Sequence, residues 1–220
     1  MTKAARPRRR PRRRHTERSA PDARVGVFDQ SLKLLLHQQP EDFIGFALEQ
    51  AVRVVRPLEL SLPSRGRELD GGYVVLLPGQ ELAVQLEFTR RHLSRRELAL
   101  EVGEAQLRLY RREDLPVLPL VWDLYGDAAA PVLSREEWLL GALPSGEEGT
   151  RLRYLRVNLR ALDFAELLRS PRSGLWALVP LCQGGASEIG VREALRAIDA
   201  RPDLSPVQRA DHTAVLYFLA

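Results

Sequence analysis

The chain has 220 residues, 45% hydrophobic and 28% charged, with 33 Lys and Arg against 29 Asp and Glu and a single cysteine. That length suits one ordinary domain with a sizeable core, and Cys182 alone can make neither an internal disulfide nor a structural zinc site, which excludes secreted disulfide frameworks and zinc ribbons. No run approaches the roughly 18 apolar residues of a membrane span and no signal-peptide core follows the basic start, so a cytoplasmic protein without a membrane partner is expected.

Charge is unevenly placed. Residues 1–24 carry ten Lys and Arg and two acids, a local +8 that leaves −4 for the rest of a chain whose net charge is +4. This arm has almost nothing apolar to bury, and Pro7 and Pro11 oppose a helix, so it is expected to be disordered. An arginine-rich arm attracts nucleic acid through phosphate contacts that carry no sequence information; a solvated extension without a role is the plain alternative.

A folded unit is expected over 25–220. Asp29 precedes a helical pattern from Gln30 to Gln38, and Pro40 opens a second helix through Phe43, Phe46, Ala47 and Ala51. Three strands are predicted next: 51–55 running into 58–62, then Tyr73 to Leu77, then Leu82 to Phe88. Ser94 and Glu97 form a capping box for a long helix ending near Arg112. The apolar run Val117 to Tyr125 reads as a strand covered on both faces, and Tyr154 to Leu159 as another. Between them Ser134 and Glu137 suggest a capping box before a short helix at Trp138 to Leu140. The remainder reads as helical: Phe164 to Arg169 behind Asp163, Ser173 to Leu181, Val191 to Ala200, and a last helix opened by Ser205, Pro206 and Gln208. Strands alternating with helices give an α/β class, a mixed sheet with a helical C-terminal part from about residue 163.

The chemistry concentrates in the hairpin from Arg67 to Arg91. With Gly79-Gln80 as a two-residue loop of type II′, Pro78 pairs with Glu81, Gly72 with Glu87 and Asp70 with Thr89, so Asp70 and Glu87 become diagonal neighbours. Alternation sends Tyr73, Val75, Leu77, Leu82, Val84, Leu86 and Phe88 to a core face and Asp70, Gln85, Glu87 and Thr89 to a polar one. Two carboxylates so placed can converge on one hard divalent cation, and Mg²⁺ or Mn²⁺ suits an oxygen-only set. Gly71 and Gly72 leave space beside the acids. An ordinary hairpin whose solvent face carries two acids is the competing reading.

The opening Phe28-Asp29 with Lys33, then Pro40-Glu41-Asp42-Phe43, the Asp70 hairpin ending Leu86-Glu87-Phe88, the long helix, Leu115-Pro116-Val117, Arg169-Ser170-Pro171 and Leu178-Val179-Pro180-Leu181 come in an order that resembles the recombination-promoting nuclease/putative transposase (Rpn) family of the PD-(D/E)XK nuclease superfamily. The resemblance runs over most of residues 27–182. It implies a restriction-endonuclease-like αβββαβ core, about 27–162, with Asp70 and Glu87 as metal ligands and Mg²⁺-dependent cleavage of DNA. It also places Asp29 and Lys33 near the active site; a helix cap with a local ion pair is the plain reading of those two. The expected partner is DNA, with a homodimer as an allowed assembly.

Two residues after Glu87 the superfamily carries a lysine, and this family commonly a glutamine, that orients the attacking water. Here the residue is Thr89, which can hydrogen-bond water but supplies no positive charge, so Arg90, Arg91 or Gln85 must substitute or catalysis has decayed. Arg90, Arg91, Arg95 and Arg96 could clamp phosphates, and arginines at a helix start oppose its dipole unless an anion joins them; a solvated helix face is the alternative. Three functions therefore stay open: a metal-dependent endonuclease, a decayed relative that binds nucleic acid or a protein without cleaving, and an interaction protein in which the sheet is only scaffold.

Overall fold

The computed structural model describes residues 23–62, 67–89, 94–142 and 148–220. The expected disorder of residues 1–22 lies outside that range, as do Arg90 and Arg91. The elements in chain order are α1 (Ala23–Gln38), α2 (Pro40–Ala47), β1 (Arg53–Pro57), β2 (Ser61–Leu62), β3 (Arg67–Glu68), β4 (Gly71–Leu77), β5 (Gln80–Thr89), α3 (Arg95–Glu113), β6 (Val117–Asp123), β7 (Leu133–Ala142), β8 (Glu148–Asn158), α4 (Phe164–Arg169), α5 (Glu188–Asp199) and α6 (Pro206–Leu219). Short 3₁₀ segments fill Leu159–Ala161 and Ser173–Leu181.

Six strands form one mixed sheet in the order β1-β4-β5-β6-β8-β7. The β1-β4-β5 part is antiparallel, β5, β6 and β8 run parallel, and β7 returns antiparallel on the far edge. The parallel β5-β6 pair needs a crossover, and α3 supplies it. Its capping box forms as the sequence predicts: the Ser94 hydroxyl accepts from the Glu97 amide at 3.2 Å, and the Glu97 carboxylate accepts from the Ser94 amide at 3.0 Å. The α6 box at Ser205 and Gln208 also forms.

Both sheet faces are covered. On one side Leu82, Val84 and Leu86 pack with Leu32, Leu36 and Phe43 of α1 and α2 and with the C-terminal helices. Phe43 stands edge-on to Phe88 and Trp122, with centroids 6.0 and 5.1 Å away, which fixes α2 over the ends of β5 and β6. On the other side α3 lies over the sheet, its Ala105 and Leu109 meeting Val74 and Ala83, and its Leu98, Ala99 and Val102 meeting Val121.

Several expectations need correction. Helix α1 starts at Ala23, so residues 23 and 24 leave the arm and Asp29 is interior, not a cap. Helix α2 ends at Ala47. The run 51–62 is not one strand: Pro57 ends β1, and Ser61–Leu62 pairs instead with Arg67–Glu68. Residues 133–142, expected to hold a capped helix, form β7, because pairing with β8 along its length outweighs a local cap signal. There the Ser134 hydroxyl donates to Glu136, and Glu137 bonds Arg151 and Arg153 across the strands.

The hairpin register is also corrected. Leu77 pairs with Gln80 and Gly71 with Leu86, so the loop is Pro78-Gly79, with Gly79 at φ +90° as the third residue of a type II turn requires. The shift is an even one, two residues, so each side chain keeps its assigned face. The polar face, however, is not a solvent face; it lies beneath α3.

Candidate functional site

The last pair of the β4-β5 ladder is Gly71 with Leu86, and one rung beyond it stand Asp70 and Glu87. Continued one residue past the ladder, the register sets Asp70 across from Glu87, where the sequence suggests a diagonal pair. Asp70 ends the ladder with its own side chain: Oδ2 accepts from the Phe88 amide at 2.8 Å, a donor that strand β4 no longer serves. Its other oxygen, Oδ1, is 3.5 Å from Lys33 Nζ, and Lys33 also holds Asp29 at 3.2 Å. The Asp29–Lys33 pair forms as expected, and the fold delivers it to Asp70.

Gly71 is why α1 comes so near. A Cβ there would stand 2.4 Å from Leu36 Cδ2, and Leu36 is fully buried one turn beyond Lys33. The glycine gives close approach of a helix and does not leave open space beside the acids. Burial alone would lower the Lys33 pKa, but Asp70 and then Asp29 outweigh it, so the ammonium is held above its ordinary 10.5.

Glu87 is only 9% exposed, and its Oε1 accepts from Gln85 Nε2 at 3.3 Å. It pairs across to Val121, which packs under α3, so its carboxylate is withdrawn from solvent. Such a group needs a compensating partner. Gln85 is fully buried with its Oε1 lacking a hydrogen-bond partner, an unsatisfied oxygen two residues from Glu87. Thr89 is nearly buried and its hydroxyl donates to the Trp122 carbonyl at 3.4 Å, so its proton is already used.

Among the described residues no cluster of three or more His, Cys, Asp or Glu could hold a metal ion. A cation here would rest on the two carboxylates, beside a Gln85 whose amide nitrogen faces Glu87 and whose oxygen has no partner. That oxygen-only set fits Mg²⁺ or Mn²⁺, which complete their shells with water.

Arg95 and Arg96 are exposed in the first turn of α3. Arg95 joins Thr89 in lining a cleft of about 540 Å³ at the carboxyl ends of β5, β6 and β8, with Arg156 and Arg160 on its far wall. Sequence reasoning misses those two arginines. The signal that could have found them is Arg156 itself, a charged residue inside an alternating strand.

No family model, curated protein or solved structure matches the chain. Among the described residues no helix is long and apolar enough to cross a membrane.

Proposed function

We propose that the chain is a metal-dependent DNA endonuclease of the recombination-promoting nuclease/putative transposase type, built on the restriction-endonuclease-like core of the PD-(D/E)XK superfamily. The order of elements supports this reading, since α1 and α2, the β1-β4-β5 meander, the α3 crossover and parallel β6 follow the αβββαβ plan. One observation carries it: Asp70 and Glu87 follow the last rung of one hairpin at its open end, with the Phe88 amide and the Lys33 ammonium against Asp70.

Asp70 and Glu87 would hold Mg²⁺ or Mn²⁺, which when bound supplies a Lewis acid for a phosphodiester oxygen and a more acidic water. The chain's own part is orientation and charge. The Phe88 amide fixes Asp70, Gln85 fixes Glu87, and Lys33 brings the positive charge that Thr89 cannot provide. Hydrolysis breaks one P–O ester bond and puts the water's hydroxyl on phosphorus and its proton on the leaving oxygen.

A second reading is a decayed relative that binds nucleic acid without cutting it. It is favoured by the engagement of both Asp70 oxygens and of the Thr89 hydroxyl with protein groups. Supercoiled plasmid with Mg²⁺ or Mn²⁺ separates the two: nicking abolished in Asp70→Asn supports the nuclease, and salt-sensitive binding without nicking supports the second reading.

A further inference from the structure

The cleft at the ends of β5, β6 and β8 has features that metal-assisted cleavage does not require. In a mixed α/β sheet the crevice outside the carboxyl ends of parallel strands is the usual ligand position, because the loops leaving those strands diverge there. Here α3 leaves on one side, residues 124–132 connect β6 to the edge strand, and the 3₁₀ turn Leu159–Ala161 follows β8.

The wall is preorganised. Arg156 donates from Nε to Asp123 Oδ2 at 3.0 Å and again from Nη2, while Nη1 is 4.0 Å from Glu136. The other Asp123 oxygen accepts from the Tyr125 amide at 3.0 Å, so this acid is occupied in holding the wall. Asn158, 1% exposed, donates to the Asp127 carbonyl at 2.7 Å and pins the loop after β6. At Gly126 a Cβ would fall 2.3 Å from Asn158 Oδ1, so any larger residue there would have to displace the Asn158 side chain that holds the loop.

Against this wall stand two further cations. Arg95 and Arg160 line the same cleft, and among the described residues neither has an ion pair. Arg95 also sits in the first turn of α3, where the helix dipole disfavours a cation and favours an anion. With Arg156 already held by Asp123, the guanidinium groups of Arg95 and Arg160, from two elements around one concavity, match the oxygens of a phosphate better than a single carboxylate. The volume is that of a small-ligand site, and Tyr125, 42% exposed, offers a ring on which a base could stack.

We propose that this cleft binds the phosphate of a nucleotide, either free or as one unit of a DNA strand. The assignment does not depend on Asp70 and Glu87 holding a metal. The test is calorimetry of the full chain in EDTA, titrated with a nucleoside 5′-monophosphate, inorganic phosphate and a short single-stranded DNA. Arg95→Glu and Arg160→Glu, both at exposed positions, are compared with Asp70→Asn and the unaltered chain, with circular dichroism confirming the fold.

The expected result is binding of the monophosphate that falls roughly tenfold or more with each arginine reversal and stays unchanged in Asp70→Asn. Sensitivity confined to the oligonucleotide assigns the phosphate to a strand; sensitivity to inorganic phosphate as well assigns recognition to the phosphate alone. Affinities for all three probes that ignore both reversals overturn the proposal. Absence of plasmid nicking with retained monophosphate binding would remove the nuclease reading and leave the cleft standing.

Discussion

The Lys33 ammonium on α1 lies 3.5 Å from the Asp70 carboxylate, across 37 residues of chain, where α1 presses on the start of β4. The contact gives the candidate site a cation from outside the hairpin. Removing the charge with Lys33→Met is expected to slow plasmid nicking by about 10²–10³-fold, the usual cost of losing one preorganised electrostatic group. Lys33→Arg should recover part of the rate. Equal rates in all three proteins would make Lys33 a purely structural partner of Asp29 and Asp70.

Asp70 has a structural duty as well as a proposed catalytic one, and two substitutions separate them. Asparagine keeps an oxygen for the Phe88 amide, whereas alanine leaves a buried donor unpaired at a cost of about 1–3 kcal/mol. Denaturant melts should therefore show Asp70→Ala clearly weaker than Asp70→Asn, with nicking absent from both. If Asn melts like Ala, the amide bond contributes nothing.

What is legible in the sequence is local. The boxes at Ser94 and Ser205 each involve four consecutive residues, and both helices start there. The side-chain faces of the hairpin are also legible, because a strand's alternation survives an even shift of register. The turn itself misleads, since Gly79 serves as its third residue and not its second. At β7 a local cap signal yields to a ten-residue strand paired with β8, whose arginines bind Glu137 from across the sheet. Neither the approach of Lys33 to Asp70 nor the strand-end cleft can be read from sequence, because both depend on how separate elements meet.

That approach depends on Gly71. Gly71→Ala drives a methyl to within 2.4 Å of Cδ2 of the buried Leu36, and overpacking of this kind costs about 1–3 kcal/mol. Where α1 shifts with Leu36 to make room, nicking should fall together with the thermal midpoint. Pairing Gly71→Ala with Leu36→Ala is expected to restore part of the nicking rate, measured on the double variant beside each single one. No recovery would mean that the glycine serves the strand and not the helix approach.

The proposed role of the arginine-rich arm in DNA binding is separable from that of the site. If its cations neutralise phosphates, deleting residues 1–22 should weaken DNA binding at low salt and flatten the dependence of log K on log salt, by roughly 0.7–0.9 for each phosphate the arm had neutralised. Fluorescence anisotropy of a labelled oligonucleotide across a salt series measures this slope. A slope unchanged by deletion removes the arm from DNA binding.

Three groups make the chain sensitive to alkali in the same direction. Burial, and secondarily Glu41, pushes Tyr73 up to about 12 from 10.0; burial, and secondarily Asp163, pushes Cys182 up to about 12 from 9.0; and Lys33 is held above 10.5. In each case the unfolded chain releases its proton at lower pH than the folded one. Their stabilisation is therefore complete below pH 9 and declines from there to about pH 12. Thermal midpoints should fall across that window, less steeply in Tyr73→Phe, which has no hydroxyl to ionise. The same burial leaves the Cys182 thiol almost wholly protonated at neutral pH, so a thiolate-selective reagent should label it only once denaturant exposes it. Rapid labelling of the native chain, or a decline unaltered in Tyr73→Phe, would contradict this account of the core.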